Sequence, residues 1–276
     1  MAVSKFQLVT ENTTKDANGM RQRTRSEVAV ITGASSGIGR ALALELARRQ
    51  YDVGLIARRS EELGVLADAV RDLGVRAEFF SADVSHREEV HNAIRNFTAL
   101  LGPVDLLVAN AGIGLGTNAF EPDSTSFESE FRVNVFGAFY AIEAVIPLMR
   151  KRQSGHVVAI SSLASYRGLP GAAGYCASKA ALTRLVEGFR PDWARVGIDA
   201  TIVHPGYVRS EMTDKNDFHM PLLMDADQAA RRIARAIQKR RKVFEFPRRT
   251  AFLVRYLVRW LPDRLLTIGR TYKQQS

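Results

Sequence analysis

Apolar and polar positions come in alternating blocks along most of the chain. Glu27-Val28-Ala29-Val30-Ile31 is a short β-branched run that reads as a buried strand. Arg40-Ala41-Leu42-Ala43-Leu44-Glu45-Leu46-Ala47 reads as a helix. The pattern repeats. Strands are expected near 27–32, 52–58, 75–81, 104–110, 155–162, 198–204 and 242–246, and helices near 38–50, 60–73, 86–101, 124–152, 174–197 and 226–241. Strand, helix, strand in repetition means a parallel sheet covered by helices on both faces. The expected fold class is α/β: a single doubly wound Rossmann domain over 27–247 with a seven-stranded parallel sheet. Ligands then gather outside the carboxyl ends of the strands. Residues 1–26 lack periodicity and read as a flexible arm. Residues 248–276 read as a basic amphipathic C-terminal extension.

Between the first strand and first helix lies Thr32-Gly33-Ala34-Ser35-Ser36-Gly37-Ile38-Gly39. Glycines let a backbone tighten and approach a ligand closely. The helix that follows aims free N–H groups and its positive dipole end at the same place, so a diphosphate fits there. The G-x-x-x-G-x-G spacing differs from the usual dinucleotide fingerprint, and a tight turn that binds nothing is the competing reading.

The second strand ends in Ala57 and then Arg58-Arg59. An NAD site usually has an acid there to hold the ribose hydroxyls. A carboxylate would repel a 2′-phosphate, whereas a guanidinium forks onto one, so NADP is favoured over NAD. Two arginines opening a solvated helix is the plainer alternative. The third strand ends near Asp83-Val84 and the fourth in Asn110-Ala111-Gly112. Asp83 can accept from an adenine amino group, and small residues at 109–112 would let the cofactor's middle lie flat. Helix caps or turns explain these residues equally well.

The fifth strand delivers Ser161 and Ser162 to the same edge. Tyr175 and Lys179, spaced i and i+4, open a helix and share one face of it. A free phenol titrates near ~10, and a nearby cation favours its anion, so the pair can form a general acid or base. Ser162 can hydrogen-bond a carbonyl oxygen as negative charge grows on it. It is preferred to Ser161 because neighbouring strand residues face opposite ways.

These motifs, with Asn134 in Val133-Asn134-Val135-Phe136-Gly137 and with Pro205-Gly206, resemble the short-chain dehydrogenase/reductase family over residues 27–246. The resemblance implies a catalytic set of Asn134, Ser162, Tyr175 and Lys179. Tyr175 exchanges a proton with the substrate oxygen, and Lys179 lowers the phenol's pKa and holds the nicotinamide ribose. Ser162 positions the carbonyl, and Asn134 holds a water that links Lys179 to solvent. It also implies that the cofactor is held by Gly33, Ser35, Ser36, Gly37, Ile38, Gly39, Arg58, Arg59, Asp83, Val84, Asn110, Ala111, Gly112, Tyr175, Lys179, Pro205, Gly206, Val208 and Ser210. Ser210 stands where the family often has threonine. Homo-oligomers, dimers or tetramers built on the helices near 124–152 and 174–197, are common in the family. A non-catalytic nucleotide-sensing or scaffold protein on the same fold is the rival reading; it would have no need for Tyr175 and Lys179 together.

Composition adds three points. The formal net charge is +10, and 13 Lys and Arg against two acids lie between 231 and 270, so that segment carries the whole excess. Such a tail suits an anionic membrane surface, nucleic acid or a solvated face. Its apolar stripe, and the lack of a binding motif, argue against nucleic acid. The stretch Thr250–Leu261 puts Arg255 and Arg259 on one face, with bulky apolar groups elsewhere, and the pattern resumes after Pro262. Membrane-surface contact through 250–268, a subunit contact and a flap over the active site are the three readings. The segment 211–224 is rich in Met, Leu and Phe, which points to a lipophilic ketone or alcohol beneath a closing loop, or simply to loop packing. Cys176 is the only cysteine, which excludes an intrachain disulfide and fits a reducing compartment. It reads as packing, and the five histidines have no metal-ligand spacing. With no signal peptide and no run of ~18 apolar residues, the expected location is cytoplasmic, with peripheral membrane contact as an added reading.

Overall fold

The computed structural model describes residues 13–15, 21–23, 25–214, 220, 222–257 and 260–266. Ahead of the main sheet, β1 (Thr13–Lys15) and β2 (Arg21–Arg23) pair antiparallel. The arm is thus not wholly without structure; its β-branched Thr13 and Thr14 suit a strand. The rest of it before Arg25 lies outside the described residues.

The domain then alternates as its pattern requires. In chain order come β3 (Glu27–Thr32), α1 (Gly37–Ala47), β4 (Tyr51–Ala57), α2 (Ser60–Arg71), β5 (Ala77–Ser81), α3 (Arg87–Leu100) and β6 (Val104–Ala109). After them come α4 (Ser124–Phe131), α5 (Ala138–Arg152), β7 (Gly155–Ile160), α6 (Ala173–Arg195), β8 (Ile198–Pro205), α7 (Ala226–Gln238), β9 (Val243–Phe246), α8 (Arg248–Tyr256) and α9 (Asp263–Leu266). β3 to β9 form one seven-stranded sheet in the order β5-β4-β3-β6-β7-β8-β9, every pair parallel. The chain reverses its direction of travel across the sheet between β3 and β6. A crevice opens at such a switch point.

Each face of the sheet has its own core. Leu42, Leu46, Leu63 and Ile233 from α1, α2 and α7 cover one. Ile94, Phe97, Ile142 and Leu182 from α3, α5 and α6 cover the other. Arg25 forks onto Asp105 with two bonds of 2.7 Å, and Asp105 also accepts from Val28 N at 2.9 Å, fixing where β3 starts.

The expected helix over 124–152 is interrupted. Asp123 caps α4 through Thr125 N and Ser126 N, and a π-helical turn, Arg132–Gly137, separates α4 from α5. Periodicity cannot show one inserted residue per turn, and such π turns are frequent at functional sites. By length and composition alone, Ser124–Arg152 is long and apolar enough to cross a membrane. Here Ala141, Ile142, Val145 and Met149 pack it into the second core, and Phe136 and Leu148 remain exposed. β6 and β7 stop at Ala109 and Ile160, short of the expected 110 and 162: Asn110 N turns to Thr32 Oγ1, while Ser161 N still donates to the Val203 carbonyl at 2.8 Å and extended Ser162 leads into a 3-10 turn.

Candidate active site

The turn after β3 is held by contacts that allow no side chain. At Gly33, with φ +66°, a Cβ would lie 2.7 Å from Ala111 Cα; at Gly39 it would lie 2.2 Å from the Gly33 oxygen. Thr32 Oγ1 accepts from Asn110 N at 3.0 Å and Ala111 N at 3.1 Å. Asn110 Nδ2 donates back to the Thr32 and Gly33 carbonyls at 2.9 and 3.1 Å. Asn110-Ala111-Gly112 is thereby bolted to the turn. Ser36, in extended backbone, precedes α1, and its side chain makes no capping bond to the helix. A cavity of about 380 Å³ opens there, lined by Ser35, Ser36, Gly37, Arg40, Arg209 and Ser210. Glycines at closest approach, a helix N-terminus and nearby guanidinium groups fit a dinucleotide diphosphate. Ile38 packs against the first core instead of lining this cavity.

The two arginines after β4 differ. Arg59 donates to Ser35 Oγ at 3.0 Å and to Glu211 Oε1 at 2.9 Å, so it bridges the glycine turn and the segment after β8. Arg58 is 71 % exposed and lies 4.0 Å from Asp83. Asp83 accepts from Ser85 N at 2.9 Å. Burial pushes its carboxyl up, but the Ser85 N–H and Arg58 outweigh this and hold it below its ordinary value. Val84 is buried beneath the π turn, where a Cβ on Gly137 would meet it at 2.8 Å.

The second cluster lies along the same edge. Ser161 points into the core, donating to the Lys179 carbonyl and bonding Thr183 Oγ1. Ser162 faces the other way; its hydroxyl accepts from Ala164 N at 3.1 Å, and its nearness pulls against the rise of the Tyr175 phenol. Lys179 Nζ, buried, donates to the Ile160 carbonyl at 3.0 Å. Gly112 is the floor between them: a Cβ there would lie 3.0 Å from Lys179 Nζ and 3.1 Å from Asn134 Oδ1. Asn134 sits in the π turn and is fully buried. Its amide donates to the Ile113 carbonyl and to Ser178 Oγ, both at 2.9 Å, and its oxygen accepts from Ile113 N at 2.8 Å. Both amide donors are therefore taken up in holding the 113 loop to α6.

The expected electrostatics of the pair need correction. Burial raises the Tyr175 phenol above its ordinary value, opposed by the Ser162 hydrogen bond. Burial also pulls the Lys179 ammonium down to about 8. Lys179 Nζ lies 5.9 Å from the centre of the tyrosine ring and is bonded to a carbonyl. Here desolvation outweighs cation–phenol attraction: Lys179 is buried, and Tyr175 is half-buried.

Past β8, Gly206 N donates to the Phe246 carbonyl at 2.7 Å, which aligns Pro205-Gly206 with the end of β9. Val208 is buried and bridges to Met224. Ser210 N donates to Thr213 Oγ1 at 2.8 Å, and a Cβ on Gly37 would meet Ser210 Cβ at 3.0 Å, so Ser210 leans on the glycine turn. A Cβ on Gly114 would lie 3.4 Å from the Tyr175 ring and 3.9 Å from Met212 Sδ, so both side chains come close to Gly114. Residues 215–219 and 221 of the expected loop lie outside the described residues.

Sequence reasoning missed two contributors. Thr32 was legible only as the residue before Gly33; its bonds to the Asn110 loop required the fold. Glu130, buried and accepting from Leu115 N at 2.8 Å, would touch a Cβ on Gly174 at 2.1 Å, and so packs against the start of α6. Burial raises its carboxyl. No spacing in the chain marked it. Cys176 is buried. His156 and His204 are buried and hydrogen-bonded, to Thr201 and to Ser165 and the Ser162 carbonyl. His86 and His91 meet Glu89 and Glu143, and His219 lies outside the described residues. Among the described residues no group of three or more His, Cys, Asp or Glu side chains is placed to hold a metal.

A glycine-lined diphosphate cradle beside a serine–tyrosine–lysine cluster, at the switch point of a doubly wound sheet, defines a nucleotide-dependent oxidoreductase of the Rossmann class. The short chain dehydrogenase family model matches residues 27–220, and the chain belongs to that family. It is 40 % identical over 237 residues to a Myxococcus xanthus protein described as an uncharacterized oxidoreductase, covering 86 % of this chain and 93 % of that one. It is 28 % identical over 251 residues to human estradiol 17-beta-dehydrogenase 11, covering 90 % and 83 %. Among solved structures, a short chain dehydrogenase/reductase from Burkholderia phymatum in complex with NAD is similar at TM-score 0.78 and 25 % identity, covering 84 % and 92 %. An alcohol dehydrogenase from Thermococcus sibiricus complexed with 5-hydroxy-NADP is similar at TM-score 0.72 and 29 % identity, covering 80 % and 95 %. The family's cofactor is a nicotinamide dinucleotide, and these two neighbours hold different forms of it.

Proposed function

We infer that this protein is an NADP-dependent oxidoreductase that interconverts a ketone or aldehyde with an alcohol on a lipophilic substrate. The observation that carries the reading is the Ser162 hydroxyl turned to the Tyr175 side of the strand, opposite to Ser161, with the Lys179 ammonium buried one turn along and 5.9 Å from the Tyr175 ring centre. When bound, the cofactor supplies or takes up the hydride. The residues of the chain do the rest. Tyr175 gives its phenolic proton to the substrate oxygen in reduction and removes it in oxidation. Ser162 orients that oxygen and stabilises charge developing on it. Lys179, held over Gly112, meets the cofactor's ribose; its cation then has an oxygen-rich partner in place of the Ile160 carbonyl alone. Asn134 positions the 113 loop and α6 together.

Arg59 and Arg58 favour NADP, since β4 ends in Ala57 and runs into Arg58-Arg59, with no carboxylate at the position where an NAD site usually has one. Met212, which approaches Gly114 as the Tyr175 ring does, favours an apolar substrate. The name of the estradiol dehydrogenase relative supports alcohol–ketone chemistry on a lipophilic molecule. A cytoplasmic homo-oligomer built on α4–α5 and α6 completes the proposal; exposed Phe127, Phe136 and Leu148 give it apolar surface to bury. The test is a series of carbonyl compounds of increasing chain length, followed by NADPH absorbance. Turnover should rise with chain length and vanish in Tyr175→Phe; a Tyr175→Phe protein that kept normal activity would overturn the mechanism.

A further inference from the structure

α8 leaves the sheet on the catalytic edge. It starts after Pro247, whose Cδ would meet a Cβ on Gly206 at 3.0 Å, and it packs on β9 through buried Ala251. It also packs against the 3-10 turn Leu163–Tyr166, which begins one residue after Ser162. Arg255 and the Tyr166 hydroxyl both bond Glu245, and the Arg255 guanidinium lies 6.0 Å from the Tyr166 ring centre.

The outer side of this extension has two properties at once. It is apolar: Phe252, Leu253, Tyr256, Leu257, Trp260 and Leu265 are all exposed, Phe252 by 62 % and Trp260 by 75 %. Soluble surfaces seldom carry a contiguous apolar patch of that kind without a partner for it. It is also cationic. Between β9 and α8 lies an open groove of about 290 Å³, lined by Arg241, Arg248 and Arg255 together with Phe244, Phe252 and Tyr256. Glu245 is the one acid in that lining. Arg241 lies 6.0 Å from the Phe244 ring centre and Arg255 5.5 Å from that of Tyr256, so aromatic faces hold the guanidinium groups in place.

We propose that α8 and the following turn dock on an anionic lipid bilayer, with a lipid phosphate seated in the arginine groove and Phe252, Leu253, Leu257 and Trp260 entering the headgroup–acyl boundary. Charge chooses this occupant over a second copy of the chain. A two-fold contact would set the same patch against itself and bring Arg241, Arg248 and Arg255 up against their own copies. A bilayer with anionic headgroups instead supplies opposite charge to the basic groove and hydrocarbon to the apolar face. The arrangement deepens the lipophilic-substrate reading and rests on it for its purpose: a substrate dissolved in the bilayer would reach Tyr175 from the side on which the protein sits. Membrane docking itself requires no turnover.

Flotation of the full chain with extruded vesicles tests it. Vesicles of phosphatidylcholine with about one-third phosphatidylglycerol should carry the protein up the gradient, and pure phosphatidylcholine should not. Inorganic phosphate at the same phosphate concentration should compete weakly, since it lacks the apolar half of the site. Each of Arg241→Ala and Arg248→Ala should weaken partition about fivefold, and raised salt should do the same. Trp260→Ser should weaken it without changing the salt dependence. Equal recovery on neutral and anionic vesicles, or none on either, would overturn the proposal. So would a Trp260→Ser protein that binds vesicles normally but changes from dimer to monomer in analytical ultracentrifugation. Because flotation needs neither cofactor nor substrate, an inactive protein that floats argues against the catalytic reading alone.

Discussion

At the turn after β3, position is set by atoms that have no room to move; at the start of α6 it is set by hydrogen bonds among largely buried polar groups. Gly33 and Gly39 are pressed against backbone at separations no Cβ survives. Tyr175, Lys179 and Asn134 instead sit among hydrogen bonds, and the phenol and the ammonium are both shifted toward their neutral forms by burial. The first region is set by close contact of backbone atoms. The second is costly to fold: burial brings the Lys179 ammonium to about 8, nearer neutral pH, and moves the Tyr175 phenol further from it. Steric damage should therefore reach cofactor binding and stability together, while damage to the polar cluster should separate them from turnover.

The largest expected effect lies in the polar cluster. Tyr175→Phe removes the proton donor and leaves the ring, so turnover should fall by about 10²–10⁴-fold, the usual range for general acid–base catalysis. NADPH affinity, read by fluorescence titration, should change little. A parallel loss of affinity would mean that the phenol serves binding rather than proton transfer. The matching steric test is Gly39→Ala. Its methyl would stand 2.2 Å from the Gly33 oxygen and 2.6 Å from Asn110 Nδ2, both parts of a fixed network. Overpacking of this kind costs about 1–3 kcal/mol, and here NADPH binding should go with it. Gly188→Ala is the control: nothing lies within 4 Å of its added carbon, and it sits within α6. Alanine there should raise stability by up to about 1 kcal/mol in chemical denaturation and leave NADPH affinity alone.

The division also explains what the sequence made legible. Sheet order, the glycine turn and the Tyr175–Lys179 spacing rest on period and chirality, which repeat along a chain and can be counted. Seven parallel strands in doubly wound order follow from them. The outward choice of Ser162 over Ser161 follows from strand alternation, and the two hydroxyls do point opposite ways. The π turn that carries Asn134 could not be counted, because one extra residue per turn leaves a helical pattern looking whole. Glu130 and Thr32 were invisible for another reason. Each acts on a loop distant from it in sequence, and only the packed fold brings them together. The electrostatics of the pair were misjudged because spacing fixes which groups are neighbours but not how much water each retains.

Lys179 gives a smaller effect with a definite sign. Its pKa is about 8 in the folded protein against an ordinary 10.5. Below pH 8 both folded and unfolded chains hold the proton, and the folded state bears the full cost of burying it. Between about 8 and 10.5 the unfolded chain binds more protons, so stability rises with pH. Across that window wild type should gain about 3 kcal/mol relative to Lys179→Met, which has nothing to titrate. Urea unfolding of both proteins at several pH values measures this. Below pH 8 the methionine variant should be the more stable of the two and inactive, although a donor lost from the Ile160 carbonyl offsets about 1 kcal/mol of the gain. A flat difference between the two curves would mean that water reaches the ammonium after all.

The smallest effect distinguishes the two arginines and with them the cofactor. Arg59 is held by Ser35 on one side and by Glu211 on the other, whereas Arg58 stands in solvent. A 2′-phosphate beside the turn must draw Arg59 away from Glu211. Removing the competitor should therefore help: Glu211→Gln should tighten NADPH several-fold and leave NADH unchanged, because NADH carries no phosphate at that place. Arg59→Ala should weaken NADPH by about tenfold, near the lower limit for a hydrogen bond to a charged group, since the site is open to water. Arg58→Ala should cost less, as expected of an exposed guanidinium that must give up its freedom to reach the ligand. Calorimetric titration of both reduced cofactors into the three variants reads all of this. If wild type bound NADH as tightly as NADPH, Arg59 would be a latch between the glycine turn and the Glu211 segment, with no part in choosing the cofactor.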